Sequence, residues 1–210
     1  FKKIESVSPN LLKISSLKDI CSNPLSICRL LELKKMIIMV KKKKEHNIDD
    51  FSLQSNKKRV HYNSDQKKVI NELNRSIESK KFKSHLLHGV TGSGKTEIFI
   101  EVIKKVIDQG KSAIILLPEI SLTPQIAGRF KSVFSNITTL WHSQLTKSQR
   151  VSTWLKINNG DYKIVIGARS AVFTPLKNLG LIIVDEEHDS SYKQDSPSPR
   201  YHARDVAIMR

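Results

Sequence analysis

Hydrophobic residues recur along residues 60–210 in two alternating patterns. Unbroken apolar runs occupy 113–117 and 181–184, and two further stretches, 138–142 and 163–167, also predict short strands. Helical spacing of apolar residues occupies 66–77, 98–106, 123–134 and 146–159. Unbroken runs are typical of parallel strands that are covered on both faces. Their alternation with helices predicts an α/β fold with a mostly parallel sheet and helices on both faces.

Capping residues mark the ends of these predicted helices. Asn63 with Gln66, and Thr146 with Gln149, have the spacing of capping boxes, which indicates helix starts. Glycines at 110 and 160 follow the last apolar positions of two helices, where a left-handed residue ends a helix at little cost. The boundaries of at least three helices are therefore predicted from local signals.

The first 60 residues show a different pattern of apolar positions. Apolar positions over 10–35 predict two short helices broken at Ser22-Asn23-Pro24, with Asn23 as the N-cap, and Met36–Val40 predicts a strand. This order resembles the end of a winged-helix unit, although a small helical hairpin would give the same pattern. We expect a partial winged-helix-like DNA-binding segment at 1–44, a linker at 45–59 that follows the run Lys41–Lys44, and the main domain at 60–210.

A glycine-rich segment carries the clearest chemical signal. Its sequence G-V-T-G-S-G-K-T matches the P-loop spacing G-x-x-x-x-G-K-[ST], and the short apolar stretch Leu86-Leu87 before it predicts a strand. Glycines let backbone N–H groups surround phosphates, while the lysine adds a charge and the threonine offers a hydroxyl to Mg²⁺. The candidate ATP-binding residues are Gly89, Val90, Thr91, Gly92, Ser93, Gly94, Lys95 and Thr96.

Two acidic residues follow the last unbroken apolar run. Asp185 stands where a strand end can hold Mg²⁺, partly through water, and Glu186 stands where it can orient or deprotonate an attacking water. A solvated strand end would show the same two acids, but the P-loop upstream favours catalysis. Lys95, Asp185 and Glu186 are the predicted catalytic residues, with Thr96 and Asp185 at the metal.

Charge and composition narrow the range of partners. The net charge is +16, and residues 1–60 hold 14 Lys and Arg against 6 Asp and Glu, which favours a polyanion such as DNA. A compositional bias towards lysine is the alternative explanation. Cys21 and Cys28 lack the spacing of a zinc or disulfide framework. No apolar stretch approaches the roughly 18 residues of a membrane span, so we expect a cytoplasmic protein without a membrane partner.

Several longer motifs carry a family resemblance. Asp185-Glu-Glu-His is a variant of the box found in superfamily 2 helicases. The runs Leu117–Gln125, His142-Ser143, Ile166–Pro175, Asp185–Gln194 and Arg200–Asp205 extend the match over about residues 60–210. Together they resemble the bacterial replication-restart helicases of that superfamily.

The resemblance implies a fold, an activity and a set of contacts. It implies the first RecA-like lobe of a 3′ to 5′ DNA helicase that uses ATP and Mg²⁺ at stalled forks, on DNA with single-stranded/duplex junctions, together with primosome and single-strand-binding proteins. Gln66 would contact adenine, although its place in a capping box explains it equally well. The residues implied in nucleic-acid contact are Thr123, Gln125, Arg169 and Ser170, then Tyr192, Lys193, Arg200 and Tyr201 of an aromatic-rich loop that couples DNA binding to hydrolysis. Pro199 replaces a further aromatic of that loop, so we expect weaker stacking on bases.

The resemblance also implies parts that these 210 residues do not contain. They are the second lobe with its catalytic arginine, the zinc-binding cysteines and an N-terminal DNA-end-binding domain. We therefore expect a fragment of a longer protein or the product of an eroded gene. A non-enzymatic DNA-binding remnant is the alternative function, and a P-loop enzyme acting on small molecules is disfavoured by the 167–170 motif.

Overall fold

The computed structural model describes residues 14–39, 61–79, 81–90, 92–118 and 124–210. By its internal contacts the chain divides into two compact units, Phe1–Glu45 and His46–Arg210. Among the described residues, no helix combines the length and the apolar character that crossing a bilayer requires. Each unit is described separately.

Residues 14–39, the described part of the smaller unit, contain one helix and one short helical turn. A 3-10 turn spans Ile14–Leu17, and helix α1 spans Pro24–Leu33. The predicted cap is confirmed, because the Asn23 side chain accepts a hydrogen bond from the Ser26 amide and Pro24 takes the first helical position. The first predicted helix is reduced to the 3-10 turn in the part that is described.

The predicted strand Met36–Val40 is wrong for residues 36–39, which are irregular. The Met39 amide donates to the Glu32 carboxylate at 2.8 Å, so this segment bonds back to α1, and Ile38 is 87% exposed. A strand needs a neighbouring strand to pair its backbone groups, and the described part of this unit offers none. Val40, Lys41–Lys44 and the predicted linker at 45–59 lie outside the described residues.

The described part of the larger unit contains five helices; the first four follow the predicted order, and the sequence analysis did not predict the last. They are α2 at Ser64–Glu78, α3 at Lys95–Asp108, α4 at Pro124–Phe134, α5 at Lys147–Asn159 and α6 at Ala203–Met209. Both capping boxes are formed with their reciprocal hydrogen bonds, which satisfies amides that the first helical turn leaves unpaired. Gly110 and Gly160 take positive φ angles of 74° and 92° just beyond α3 and α5, as predicted.

Four parallel strands form the sheet. They are β1 at Ser112–Leu116, β2 at Thr138–Trp141, β3 at Ile164–Gly167 and β4 at Leu179–Val184. Their spatial order is β2-β3-β1-β4, so the chain crosses over between strands through helices. In the register, Ile115 stands beside Ile166 on one side and Ile183 on the other. The prediction of a mostly parallel sheet is confirmed.

Helices cover both faces of this sheet. On one face, Ile115 and Ile166 pack with Ile103 of α3 and Phe130 of α4. On the other face, Ile114, Leu116 and Val165 pack with residues of α5 and α6, namely Ile157 and Ala203. Because successive residues of a strand point to opposite faces, the unbroken apolar runs of the sequence fill both cores. The predicted α/β architecture is confirmed.

The predicted strand at Leu86-Leu87 is wrong. Residues 82–90 have no regular secondary structure, and Leu86 is 80% exposed. Leu87 is partly buried and packs against the cluster formed by Ile70 of α2 with Ile98 and Val102 of α3. In the described part of the sheet, β4 pairs with β1 alone, so the segment before the P-loop has no adjacent strand with which to form a ladder.

A small hairpin follows β4. Strands β5 at Lys193–Gln194 and β6 at Tyr201–His202 pair antiparallel, and α6 begins directly after β6. Helix α6 packs on the 3-10 turn Arg169–Phe173, which follows β3. The hairpin therefore lies in the same part of the fold as the ends of β3 and β4.

Candidate nucleotide-binding site

The P-loop joins the irregular segment 82–90 to the start of α3. Gly92 and Gly94 have φ angles of 80° and 86°, a left-handed conformation that residues with a Cβ rarely adopt. Thr91 is outside the described residues. Gly94 is the N-cap of α3 and provides no side-chain cap. The unpaired amides at this helix end are therefore available to an anion, with the positive end of the helix dipole behind them.

Two glycines of the loop also face close neighbours. A Cβ atom built on Gly89 would lie 2.8 Å from the Ser93 hydroxyl oxygen, and one built on Gly94 would lie 2.5 Å from Nε2 of Gln66. Both distances are shorter than real Cβ contacts. A Cβ at either position would therefore displace the end of a neighbouring side chain, and at Gly94 the positive φ also favours glycine.

Gln66 is engaged in two hydrogen bonds at once. Its Oε1 accepts from the Asn63 amide at 3.0 Å, which completes the capping box of α2. Its Nε2 donates to the Ser93 carbonyl at 2.9 Å, so the same side chain holds the P-loop. Contact of Gln66 with adenine stays a prediction, and the capping function is present.

Lys95 lies in the first turn of α3 and folds over the loop. Its ammonium donates to the carbonyl of Gly89 at 2.7 Å and to that of Val90 at 3.4 Å. Thr96 follows it in the same helical turn. The lysine therefore reaches the centre of the loop, where the sequence predicted that it meets phosphate oxygens.

The two predicted acids lie in the turn at the carboxyl end of β4. Asp185 is half-buried, and its amide donates to the Leu116 carbonyl at 3.0 Å, which extends the β1–β4 pairing by one bond. Glu186 is exposed and has a φ of 50°, a strained backbone conformation for a residue with a long side chain. Its carboxylate is thus presented to solvent by a constrained turn.

Helix α3 connects the loop to the acids. It begins at the P-loop and packs against both β1 and β4. Leu181 of β4 shares an apolar cluster with Ile98 and Val102 of α3. The phosphate-binding loop and the acidic turn are therefore attached to one packed frame.

The chemistry of the donor set fits Mg²⁺ bound together with phosphates. Among the described residues, no group of three or more His, Cys, Asp or Glu side chains could hold a metal ion by itself. Mg²⁺ usually keeps several waters and takes one or two protein oxygens beside substrate phosphates. The Asp185 carboxylate and the Thr96 hydroxyl are oxygens of this kind.

The residues predicted to contact nucleic acid have different surroundings. Thr123 lies outside the described residues, and Gln125 lies in the first turn of α4. Ser170 is exposed, whereas Arg169 donates to the carbonyls of Ser191 and Lys193 at 3.4 and 2.9 Å. These four contacts with DNA stay predictions, and that of Arg169 would have to replace its present hydrogen bonds.

Tyr192 requires a correction. It is 0% exposed, and its hydroxyl donates towards the carbonyls of Leu116 and Asp185 at 3.0 and 2.6 Å. A ring buried in the core cannot stack on a base, so its predicted contact with nucleic acid is wrong in this structure. The motif had indicated an aromatic ring in the loop, but a motif does not tell which side of a loop a ring occupies.

The rest of that loop is accessible to different degrees. Lys193 is exposed and pairs with Asp195 at 3.0 Å, and Arg200 is exposed. Tyr201 is half-buried and meets Phe173 edge to face, with ring centroids 4.9 Å apart. Burial raises the pKa of Tyr201, the largest influence, while Arg169 opposes it. Contacts of Lys193, Arg200 and Tyr201 with DNA stay predictions.

Sequence reasoning missed an ion pair beside the P-loop. Arg129 of α4 donates from Nε and Nη2 to the two carboxylate oxygens of Glu97 at 2.9 and 2.8 Å. The Tyr62 hydroxyl lies 3.3 Å from the Glu101 carboxylate, one turn further along α3. Glu97 directly follows the P-loop threonine, which was the only signal that the sequence offered for this pair.

The chain is similar to a family of helicases and to replication proteins from several bacteria. The model of the family described as DEAD/DEAH box helicase matches residues 63–208. The chain is 50% identical to Replication restart protein PriA of Bacillus subtilis (strain 168) over 146 residues, which is 70% of this chain and 18% of that protein. It is 44% identical to the protein of the same name from Chlamydia trachomatis over 185 residues, 84% of this chain and 25% of the relative. The protein of that name from Haemophilus influenzae is 54% identical over 128 residues, 61% and 17% of the two chains. The chain spans a quarter or less of the length of each of these relatives.

Proposed function

Since the chain belongs to the DEAD/DEAH box helicase family, we propose that it is the ATP-binding motor lobe of a 3′ to 5′ DNA helicase that acts at stalled replication forks. The proposal extends to ATP hydrolysis as the energy source and to restart of replication as the process. The relatives are named Replication restart protein PriA, and this name supports that process.

One observation carries the proposal. Helix α3 begins at the P-loop and packs against β4, and Asp185 and Glu186 directly follow the end of β4. Phosphate-binding groups and the acids that phosphoryl transfer requires are thereby attached to the same rigid elements. A module that only binds DNA would have no use for this combination.

The residues of the site can be assigned complementary tasks. The loop amides and Lys95 would bind the β- and γ-phosphates, and Lys95 would exchange its bonds to the Gly89 and Val90 carbonyls for phosphate oxygens. Thr96 and Asp185 would hold Mg²⁺, which neutralises charge developing on the phosphates when it is bound. Glu186, exposed beside Asp185, would orient the attacking water and accept its proton.

DNA is the proposed substrate because the chain is strongly basic and belongs to a helicase family. A net charge of +16 attracts a polyanion, and the exposed or partly exposed Ser170, Lys193, Arg200 and Tyr201 would provide contacts. We propose forked DNA with a single-stranded/duplex junction as the structure recognised. Primosome and single-strand-binding proteins as partners, and the cytoplasm as the compartment, belong to the same proposal.

A second candidate is a DNA-binding remnant that does not hydrolyse ATP. The observation that favours it is the segment before the P-loop, which forms no strand and leaves Leu86 80% exposed. A loop whose preceding segment lacks the hydrogen bonds of a strand would bind nucleotide weakly. Intact Lys95, Asp185 and Glu186 favour the motor lobe.

A DNA-stimulated ATPase assay tests the proposal. In the whole protein that contains this chain, Lys95→Ala should abolish hydrolysis, because it removes the charge that meets the phosphates and no core contact. Lys83→Ala, an exposed lysine shortly before the loop, is the matched control and should leave the rate unchanged. Hydrolysis that survives Lys95→Ala would refute the site assignment, whereas DNA binding without any stimulated hydrolysis in the unmodified protein would favour the remnant.

The same assay on these 210 residues alone has its own expected result. We expect weak binding of Mg·ATP and hardly any turnover, even with DNA. In the helicases that the sequence resembles, an arginine from a second lobe completes the site, and such an arginine is worth about 10³–10⁵ in rate. This corresponds to roughly 4–7 kcal/mol of barrier. Fast turnover abolished by Glu186→Gln would show that a residue within the chain, or a second copy, replaces that lobe.

A further inference from the structure

Tyr192 is a buried polar residue that the proposed chemistry does not use. Its ring lies in the core with Leu116 and Ala203, and none of its surface is exposed. The hydroxyl lies 3.0 Å from the Leu116 carbonyl oxygen and 2.6 Å from that of Asp185. Leu116 ends β1 and Asp185 follows β4, so one hydroxyl bridges the carboxyl ends of two adjacent strands.

The contact with Asp185 fixes a particular peptide plane. The Asp185 carbonyl belongs to the peptide that joins Asp185 to Glu186, and its oxygen accepts from Tyr192. The N–H of the same peptide donates to the Asp185 side-chain oxygen Oδ1 at 3.1 Å. Both polar atoms of this peptide are therefore engaged, and the plane cannot rotate without breaking at least one hydrogen bond.

The orientation of this plane matters because both acids depend on it. Glu186 has a φ of 50°, which a long side chain adopts only when its surroundings impose it. The φ angle is a rotation measured from that same peptide. Holding the plane therefore sets the direction of the Glu186 side chain, and the bond to Oδ1 limits the rotation of the Asp185 carboxylate.

The loop that carries Tyr192 is itself held in place. Arg169 donates to the carbonyls of Ser191 and Lys193, the residues on either side of Tyr192. Arg169 begins the 3-10 turn after β3, so a third strand end contributes to the same arrangement. The connection runs from Arg169 through the loop and Tyr192 to the two acids.

We propose that Tyr192 is a positioning residue of the acidic pair: its hydroxyl holds the Asp185–Glu186 peptide and thereby orients the two carboxylates towards metal and water. This inference rests on the proposed function, since it assumes that these acids serve Mg²⁺ and hydrolysis.

Binding of a fluorescent ATP analogue to this chain tests the inference without any need for turnover. Affinity is measured in EDTA and again across a Mg²⁺ titration. Tyr192→Phe keeps the ring and removes only the hydroxyl. It should raise the Mg²⁺ concentration needed for half-maximal effect about threefold to tenfold, since one hydrogen bond is lost, and leave the affinity in EDTA unchanged.

Two further variants serve as the negative and the positive control. Tyr162→Phe removes a hydroxyl from a partly buried ring whose contact is with Lys156, and it should behave as wild type. Asp185→Asn should remove most of the response to Mg²⁺. A merely structural role of Tyr192 would lower the melting temperature, and would reduce affinity equally with and without Mg²⁺.

Each outcome decides between the two proposals. If Asp185→Asn loses the Mg²⁺ response and Tyr192→Phe keeps it, the positioning role is refuted and the proposed function stands. If Asp185→Asn keeps the response, the assigned metal site fails and the positioning role fails with it. Should Tyr192→Phe not fold, Arg169→Gln releases the loop without emptying the core. A wild-type Mg²⁺ response in that variant would likewise overturn the inference.

Discussion

The ion pair between Glu97 and Arg129 ties the first turn of α3 to α4, and its strength can be measured. Both bonds are short, at 2.9 and 2.8 Å, and the two side chains are 25% and 27% exposed. Arg129 donates through two nitrogens, the geometry in which an arginine and a carboxylate interact best. Its hydrogen bond to Glu97 is the main reason why the pKa of Arg129 is raised.

The magnitude follows from the degree of burial. Exposed pairs typically contribute about 0.2–1 kcal/mol, and removing one partner of a fully buried pair costs about 3–5 kcal/mol. With about a quarter of each side chain exposed, we expect a coupling energy of about 1–2 kcal/mol. Glu97 also lies in the first turn of α3, where an acid is worth about 0.3–1 kcal/mol against the helix dipole.

A double-mutant cycle separates these two contributions. Glu97→Ala, Arg129→Ala and the double variant are unfolded in urea, with the fluorescence of Trp141 and Trp154 as the signal. The dipole contribution of Glu97 is the same with or without Arg129, so it cancels in the cycle. The exposed pair Asp65–Lys68 on α2, with side chains 84% and 78% exposed, is the control, and its coupling should be near zero.

The cycle has a clear result that would refute the reasoning. A coupling energy for Glu97 and Arg129 no larger than that of the control pair would show that solvent screens this ion pair in spite of its geometry. The ion pair would then contribute nothing to holding α4 against α3. It would also not help to position Gln125, which lies on α4.

Three further predictions follow from the structure. Gly94→Ala places a Cβ 2.5 Å from Nε2 of Gln66 at a φ of 86°, so the affinity for nucleotide should fall. Gly110→Ala is the control, because Gly110 also has a positive φ, 74°, but lies in open space; it should cost about 1 kcal/mol of stability in urea and leave the affinity for nucleotide unchanged. Burial, and then the charge of Glu101, raise the pKa of Tyr62 to about 12, so the folded chain keeps a proton that the unfolded chain loses near pH 10. The free energy of unfolding should therefore fall between about pH 10 and 12, and Tyr62→Phe should flatten part of that fall in pH-dependent urea titrations. If about six or more lysines and arginines bind phosphates, affinity for DNA should drop by about 10³ or more between 50 and 200 mM salt. A flat dependence would instead indicate compositional bias.

Local signals in the sequence predicted most of the larger unit. The capping boxes at Asn63 and Thr146 and the left-handed glycine at Gly160 are interactions among residues close in sequence, so they are formed as predicted. The unbroken apolar runs became parallel strands because both of their faces are covered. The P-loop was recognisable for a similar reason, since its glycines at 92 and 94 adopt positive φ angles that are set by the local turn of the backbone.

The errors concern features that depend on residues distant in sequence. Leu86 and Leu87 have the composition of a strand, but a strand requires an adjacent strand, and composition does not provide one. The sequence shows that Tyr192 is aromatic but not whether its ring faces solvent or the core. Only the packing of the core shows that the ring is buried. The pairing of Glu97 with Arg129 spans 32 residues and follows no period that the sequence could reveal.

The free side of β4 affects how the isolated chain should be handled in the laboratory. Leu181, Ile182 and Val184 are only half-buried there, and β1 is the one strand bonded to β4 in the described sheet. An apolar strand with an unpaired row of N–H and C=O groups is a template on which another chain can add a strand. Concentrated solutions of these 210 residues should therefore self-associate through β4. A charged substitution at Gly180, at the exposed start of that strand, is a poor remedy, because a Cβ there would meet the Lys111 side chain at 2.6 Å. A lysine at Ile182 would place a charge against the core cluster on which Ile182 packs, so neither position offers a simple way to block this association.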